Sequence, residues 1–100
     1  DEPRPTVAVC MSDVVAFGFY AACRERGVRI PEDLSVTGFD DVPYSSLLTP
    51  ALTTVRQPGY LKGYEAARIV LERLAGGKPG HIVMETELVT RASAAAPSGT

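Results

Sequence analysis

Nine residues constrain this chain more than any other stretch: Leu34-Ser-Val-Thr-Gly-Phe-Asp-Asp-Val42. Val36 and Phe39 favour an extended, half-buried backbone, and Gly38 lets that backbone pass close to a neighbour. The stretch reads as a short buried strand, Leu34 to Phe39, that ends in two adjacent carboxylates, Asp40 and Asp41. Open α/β sheets meet their ligands in this way, with polar groups on the loop at a strand's carboxyl end.

The flanking segments fit such a sheet. Thr6-Val-Ala-Val-Cys-Met11 is a continuous apolar run rich in β-branched residues, the pattern of a strand buried on both faces. Ser12-Asp13 supplies an N-cap; a helix is predicted from there to about Arg26, and Gly27 stops it. Strand, helix and strand make a βαβ unit. Val42 to Leu48 is predicted as a short helix with Pro43 in its first turn, and Leu52 to Gln57 as a third strand. A second long helix is predicted from Pro58 to about Ala75, and Ile82–Glu85 and Glu87–Arg91 as final extended segments. The order argues an α/β fold, a largely parallel sheet with flanking helices. The small polar residues from Ala92 onward predict disorder.

The two long helices differ in their apolar surface. In the second, Tyr60, Gly63, Tyr64, Ala67, Val70, Leu71 and Leu74 share one side, opposite Lys62, Glu65, Arg68, Glu72 and Arg73. The first is apolar nearly all round, from Val14 to Ala22. A helix lying on a sheet needs one apolar stripe, so the surplus predicts that Phe17 and Tyr20 are covered by another chain or domain.

Charge and composition remove several classes of function. The net charge is −2 with no basic run, so the chain carries no electrostatic footprint for nucleic acid. No apolar run is long enough to span a membrane, and Asp1-Glu-Pro-Arg-Pro5 is no signal peptide. Cys10 and Cys23 form neither a C-x-x-C motif nor a disulfide framework, and read as buried thiols in a reducing setting.

Catalysis has weak support. Asp40 and Asp41 are neighbours on an extended chain, where side chains point to opposite sides. They lack a third metal ligand nearby in sequence, and the lone His81 has no orienting partner. No nucleophile elbow or zinc motif is present, so no enzyme, cofactor or metal is expected. As binding groups the pair makes better sense. One carboxylate can accept hydrogen bonds from ligand hydroxyls, which suits a sugar, while the other fixes the loop by capping backbone N–H groups. A purely structural Asp-Asp turn is the plainer alternative.

Three stretches resemble the lactose-repressor/galactose-repressor family of bacterial transcriptional regulators. They are Gly27-Val-Arg-Ile-Pro-Glu-Asp-Leu-Ser-Val-Thr-Gly-Phe-Asp-Asp41, Thr49-Pro-Ala-Leu-Thr-Thr-Val-Arg-Gln-Pro58 and Glu87-Leu-Val-Thr-Arg-Ala-Ser93, in the family's order. The resemblance implies the C-terminal part of an effector-binding domain with a partial periplasmic-binding-protein-like (type I) fold. Residues 1–5 are then a flexible lead-in, 6–57 belong to the C-lobe, 58–80 carry a helix of the N-lobe, 81–93 return, and 94–100 are a disordered tail. It implies a cytoplasmic homodimer or higher homo-oligomer that meets DNA only through a headpiece outside this stretch, and a small-molecule effector, with a sugar the best match. Asp40 resembles the family's effector-binding aspartate. Ser12 stands where the family usually has Asn, and Gln57 resembles a position that lines the cleft in some members. Phe17 falls on a dimer-interface position, and Tyr44, Leu47 and Leu48 on a second dimer segment. A periplasmic-type sugar-binding protein, an enzyme using Asp40 or Asp41, and a plain assembly module are the competing expectations.

Overall fold

The computed structural model describes residues 3–78 and 80–97. They fall into two compact units: Asp1–Arg56 with Glu87–Thr100, and Gln57–Thr86.

The first unit holds strands β1 (Val7–Val9), β2 (Ser35–Thr37), β3 (Thr54–Arg56) and β4 (Glu87–Val89), helix α1 (Asp13–Glu25), and a 3₁₀ turn at Pro43–Leu47. β1 and β2 are parallel, with Ala8 opposite Val36. Parallel bridges Thr37–Thr53 and Asp40–Arg56 carry the sheet on to β3, and β4 closes it antiparallel, with Leu88 opposite Val55. This is the expected α/β arrangement, with each strand shorter than its apolar run.

Local chemistry sets the bounds of α1. Ser12 is extended and its Oγ accepts from the Val15 N–H at 3.2 Å, one of the first-turn donors that no helical carbonyl can reach. Gly27, at φ 69, ends the helix where a side chain would be strained. Arg29 holds the following turn through Asp33, with its N–H at 2.8 Å and its guanidinium at 3.0 Å. Asp13, Ala16, Tyr20 and Cys23 form the buried stripe at helical spacing. Cys10, Ala16, Tyr20, Val36 and Leu52 make the core, with Phe17, Phe19, Ile30 and Leu48 packed against it. Burying a side chain such as Leu52 or Val36 contributes about 1.5–3 kcal/mol.

Three expectations change here. Tyr20 is a core residue rather than a surface kept for another chain, and its hydroxyl donates to Pro50 O at 2.8 Å. The uncovered side of α1 carries Val14 and Val15 instead. A helix apolar all round gives no phase, so tertiary packing against Val36 and Leu52 chose the buried side. The run at β1 is not buried on both faces: Cys10 enters the core while Val9 is 77% and Met11 89% exposed. Within this unit α1 covers the Cys10 side only. Finally, residues 92–95 are tied down. The Ala92 amide donates to Ala51 O at 3.0 Å, Ser93 is fully buried, and Ser35 and Ala95 exchange two hydrogen bonds. Residues 98–100 lie outside the described residues.

The second unit holds α2 (Gly59–Leu74) and the extended stretch 80–86, which among the described residues forms no strand. Arg68 bridges Glu65 and Glu72 along the helix. Ala66 and Ile69 share a hollow of about 380 Å³ with Ile82, Met84 and Thr86, alternate residues of an extended backbone. The predicted stripe of Tyr60, Tyr64, Val70, Leu71 and Leu74 is exposed throughout.

Candidate functional site

The carboxyl ends of β1 and β2 bring Ser12 and Asp40 to one edge. The Asp13 amide donates to Phe39 O at 3.0 Å, which joins the residue after Ser12 to the residue before Asp40. The Asp40 amide donates to Val55 O at 2.8 Å. Ser12 Oγ accepts the helix-capping bond, which leaves its O–H proton and one lone pair uncommitted by that bond. Asp40 stands at φ 124 and Asp41 at φ 58. A side-chain-bearing residue in these regions costs on the order of 1–3 kcal/mol, and such strain gathers at ligand clamps.

Asp41 does not cap backbone N–H groups as expected. Its side chain is almost wholly buried between two arginines. Arg56 Nε donates to Oδ2 at 2.8 Å. Arg91 Nη1 donates to Leu52 O at 3.0 Å and stands 2.8 Å from Oδ1, as a charge contact rather than an aligned hydrogen bond. Arg91, with Arg56 behind it, holds the Asp41 carboxyl below the ordinary carboxylate range against the opposing effect of burial. Asp33 is lowered to about 2 by its hydrogen bonds from Arg29. A carboxyl lowered on folding stabilises the fold above its unfolded pKa, about 3.9. That contribution is lost as pH falls below this value. The thermal midpoint is therefore expected to drop between about pH 4 and about pH 2. Asp41→Asn should lower the midpoint at pH 7 and flatten that drop, as thermal unfolding at several pH values would read.

Asp13 is the site residue that sequence reasoning missed. Beside Ser12 it carries the local signal of a helix start, yet it is fully buried. Its Oδ2 accepts the Val42 amide at 2.9 Å and the Ser45 hydroxyl at 2.5 Å, and Oδ1 accepts the Thr54 hydroxyl at 2.5 Å. A Cβ on Gly38 would strike this carboxylate and come within 3.0 Å of Leu52 Cδ2. Ser93 was also missed: its hydroxyl donates to Val36 O at 2.5 Å and accepts the Thr53 amide at 2.8 Å. The signal for both was hydroxyls among apolar core residues, since buried polar groups need partners.

The remaining predicted residues are placed as follows. Phe17 is half-buried and meets Tyr44 edge to face at 5.3 Å. Tyr44 and Leu47 are exposed, and Leu48 is half-buried against the core. Gln57 belongs to the second unit, where its Oε1 accepts from Lys62 Nζ at 3.1 Å. Burial raises the pKa of the Cys10 and Cys23 thiols, which leaves them protonated and weakly nucleophilic. His81 is exposed. Among the described residues no cluster of three His, Cys, Asp or Glu could hold a metal ion, and no helix is long and apolar enough to cross a membrane.

A β-α-β sheet closed by an antiparallel strand, with a strained acidic turn at the carboxyl end of β2, is the architecture of a periplasmic binding protein-like domain. The sequence model of that family matches residues 1–94. The chain belongs to this family, within its lactose-repressor branch of transcriptional regulators. It is 43% identical over 98 residues to the lactose operon repressor of Rhizobium radiobacter, covering 97% of this chain and 87% of that one. It is 40% identical over 96 residues to the HTH-type transcriptional repressor CytR of Escherichia coli, covering 93% of this chain and 28% of that one. The solved CelR–cellobiose complex matches with a TM-score of 0.82 at 34% identity, over 88% of this chain and 28% of that one. The chain thus spans little more than a quarter of CytR and of CelR.

Proposed function

We propose that this chain is the ligand-sensing and dimerising part of a bacterial transcriptional regulator whose effector is a sugar. The observation that carries the reading is the strained Asp40 backbone beside Ser12, at the carboxyl ends of two parallel strands. An ionised acceptor at Asp40 and a hydroxyl donor at Ser12 suit a polyhydroxylated ligand, and a relative's cellobiose complex supports that class. Gln57 is a further ligand contact on the resemblance alone. Residues 6–57 are assigned to the C-lobe, 58–80 to the N-lobe helix and 81–93 to the return. The change of compact unit after Arg56 supports the first of these divisions, while residues 81–86 group with α2. DNA is contacted through a headpiece elsewhere in the longer cytoplasmic protein. The effector acts by favouring one arrangement of that protein over another.

The experiment is a thermal-shift screen of the intact protein against mono- and disaccharides, with nucleosides as the contrasting class. A sugar at a hundred times its dissociation constant stabilises by about 2.7 kcal/mol. Stabilisation by nucleosides alone would overturn the sugar assignment.

The dimer surface is placed on Phe17, Tyr44 and Leu47, with Leu48 behind them; Tyr20 is left out because it is in the core. Leu47 is 73% exposed, so Leu47→Asp tests the surface without disturbing the core. Size-exclusion chromatography is expected to show the variant eluting later than the parent at equal concentration, with helix content by circular dichroism unchanged and any fall in thermal midpoint explained by the lost partner. An unchanged elution volume would remove Leu47 from the interface.

A further inference from the structure

Asp40 and Asp41 both hold backbone conformations that L residues rarely adopt. Such a turn persists only where its surroundings over-determine it. One residue fixes both of its ends. The Asp13 amide donates to Phe39 O at 3.0 Å, one residue before the turn. The Asp13 carboxylate accepts the Val42 amide at 2.9 Å, one residue after it. That carboxylate is pinned in turn by the hydroxyls of Ser45 and Thr54, and Gly38 brings β2 against it where a larger residue would collide.

The geometry points to Asp13 as the positioning residue of the ligand turn. It brackets Asp40–Asp41 at both ends and keeps Asp40 in the backbone conformation from which it serves the effector. Ser12 precedes Asp13 directly, so the same bracket sets the spacing between the two ligand contacts. The effector clause rests on the proposed function; the bracket does not.

The test reads amide hydrogen exchange by NMR in the ligand-free intact protein, so a wrong effector class leaves it unaffected. In the wild type the Val42 amide, bonded to the Asp13 carboxylate, is expected to exchange at least ~100-fold slower than an unstructured peptide, although Pro43 and Tyr44 beside it are exposed. Asp13→Asn keeps the side-chain volume but replaces one acceptor oxygen with a donor. It should speed Val42 exchange about tenfold or more while Val36, in β2, keeps its rate. Ser45→Ala and Thr54→Val each remove one anchor of the carboxylate. They should lower the thermal midpoint and leave Val42 exchange within about threefold of wild type. A wild-type Val42 amide that exchanges as in an unstructured peptide would overturn the bracket, with no variant needed. So would an Asp13→Asn Val42 amide that changes only in step with Val36.

Discussion

Replacing Asp13 with alanine is expected to cost roughly 4 kcal/mol or more, since it leaves three donors without their acceptor and each orphaned buried group costs about 1–3 kcal/mol. A domain of this size has only about 5–15 kcal/mol in all. The Asp13 carboxylate joins α1, the 3₁₀ turn and β3, so its removal loosens three elements together. In thermal unfolding the midpoint should fall by about 15 °C or more, at about 4–8 °C per kcal/mol for a small domain. Gly38→Ala should act in the same direction, because its methyl group meets the same carboxylate. A midpoint for Asp13→Ala within a few degrees of wild type would show that the buried carboxylate does not hold these elements together.

Asp40→Gly is expected to move stability and binding in opposite directions. Glycine accepts φ 124 without the steric cost an aspartate bears there, so stability should rise by roughly 0.5–1 kcal/mol once the lost side-chain contact is counted, and the midpoint with it. The effector loses an ionised acceptor, and a hydrogen bond to a charged group contributes about 1.5–3 kcal/mol. At 1.4 kcal/mol per tenfold, affinity should fall by roughly 10- to 150-fold. A position kept for stability would not behave this way. A fall in midpoint together with unchanged affinity would mark Asp40 as a structural turn residue.

These residues also show where sequence reasoning succeeded and where it ended. α1 was legible because its signals are local: Ser12 caps it and Gly27 stops it. The β-α-β order was legible because apolar runs and glycine or proline breaks alternate along the chain. The buried side of α1 was not, since an all-apolar helix is phased only by what it meets, here Val36 and Leu52. The part played by Asp41 was hidden because its partner Arg91 comes much later in the chain. Ser93 lies in a stretch of small residues whose composition suggests disorder, and its order comes from hydrogen bonds to Val36 and Thr53. Asp13 combined both difficulties: a plausible local role as a cap, and three distant donors that no local pattern reveals. The place of the Asp40–Asp41 turn after β2 and of Ser12 at the start of α1 could be read from the chain; the groups that hold them could not.

The most direct measurement is calorimetric titration of the intact protein, wild type and Asp40→Asn side by side, with the sugar that gives the largest thermal shift. Asparagine keeps the size and the turn preference of aspartate but removes the ionised acceptor. Wild type should bind and the variant should bind at least about tenfold more weakly, with the thermal transition of the free protein nearly unchanged. Equal affinities for the two proteins would contradict a ligand-binding role for Asp40.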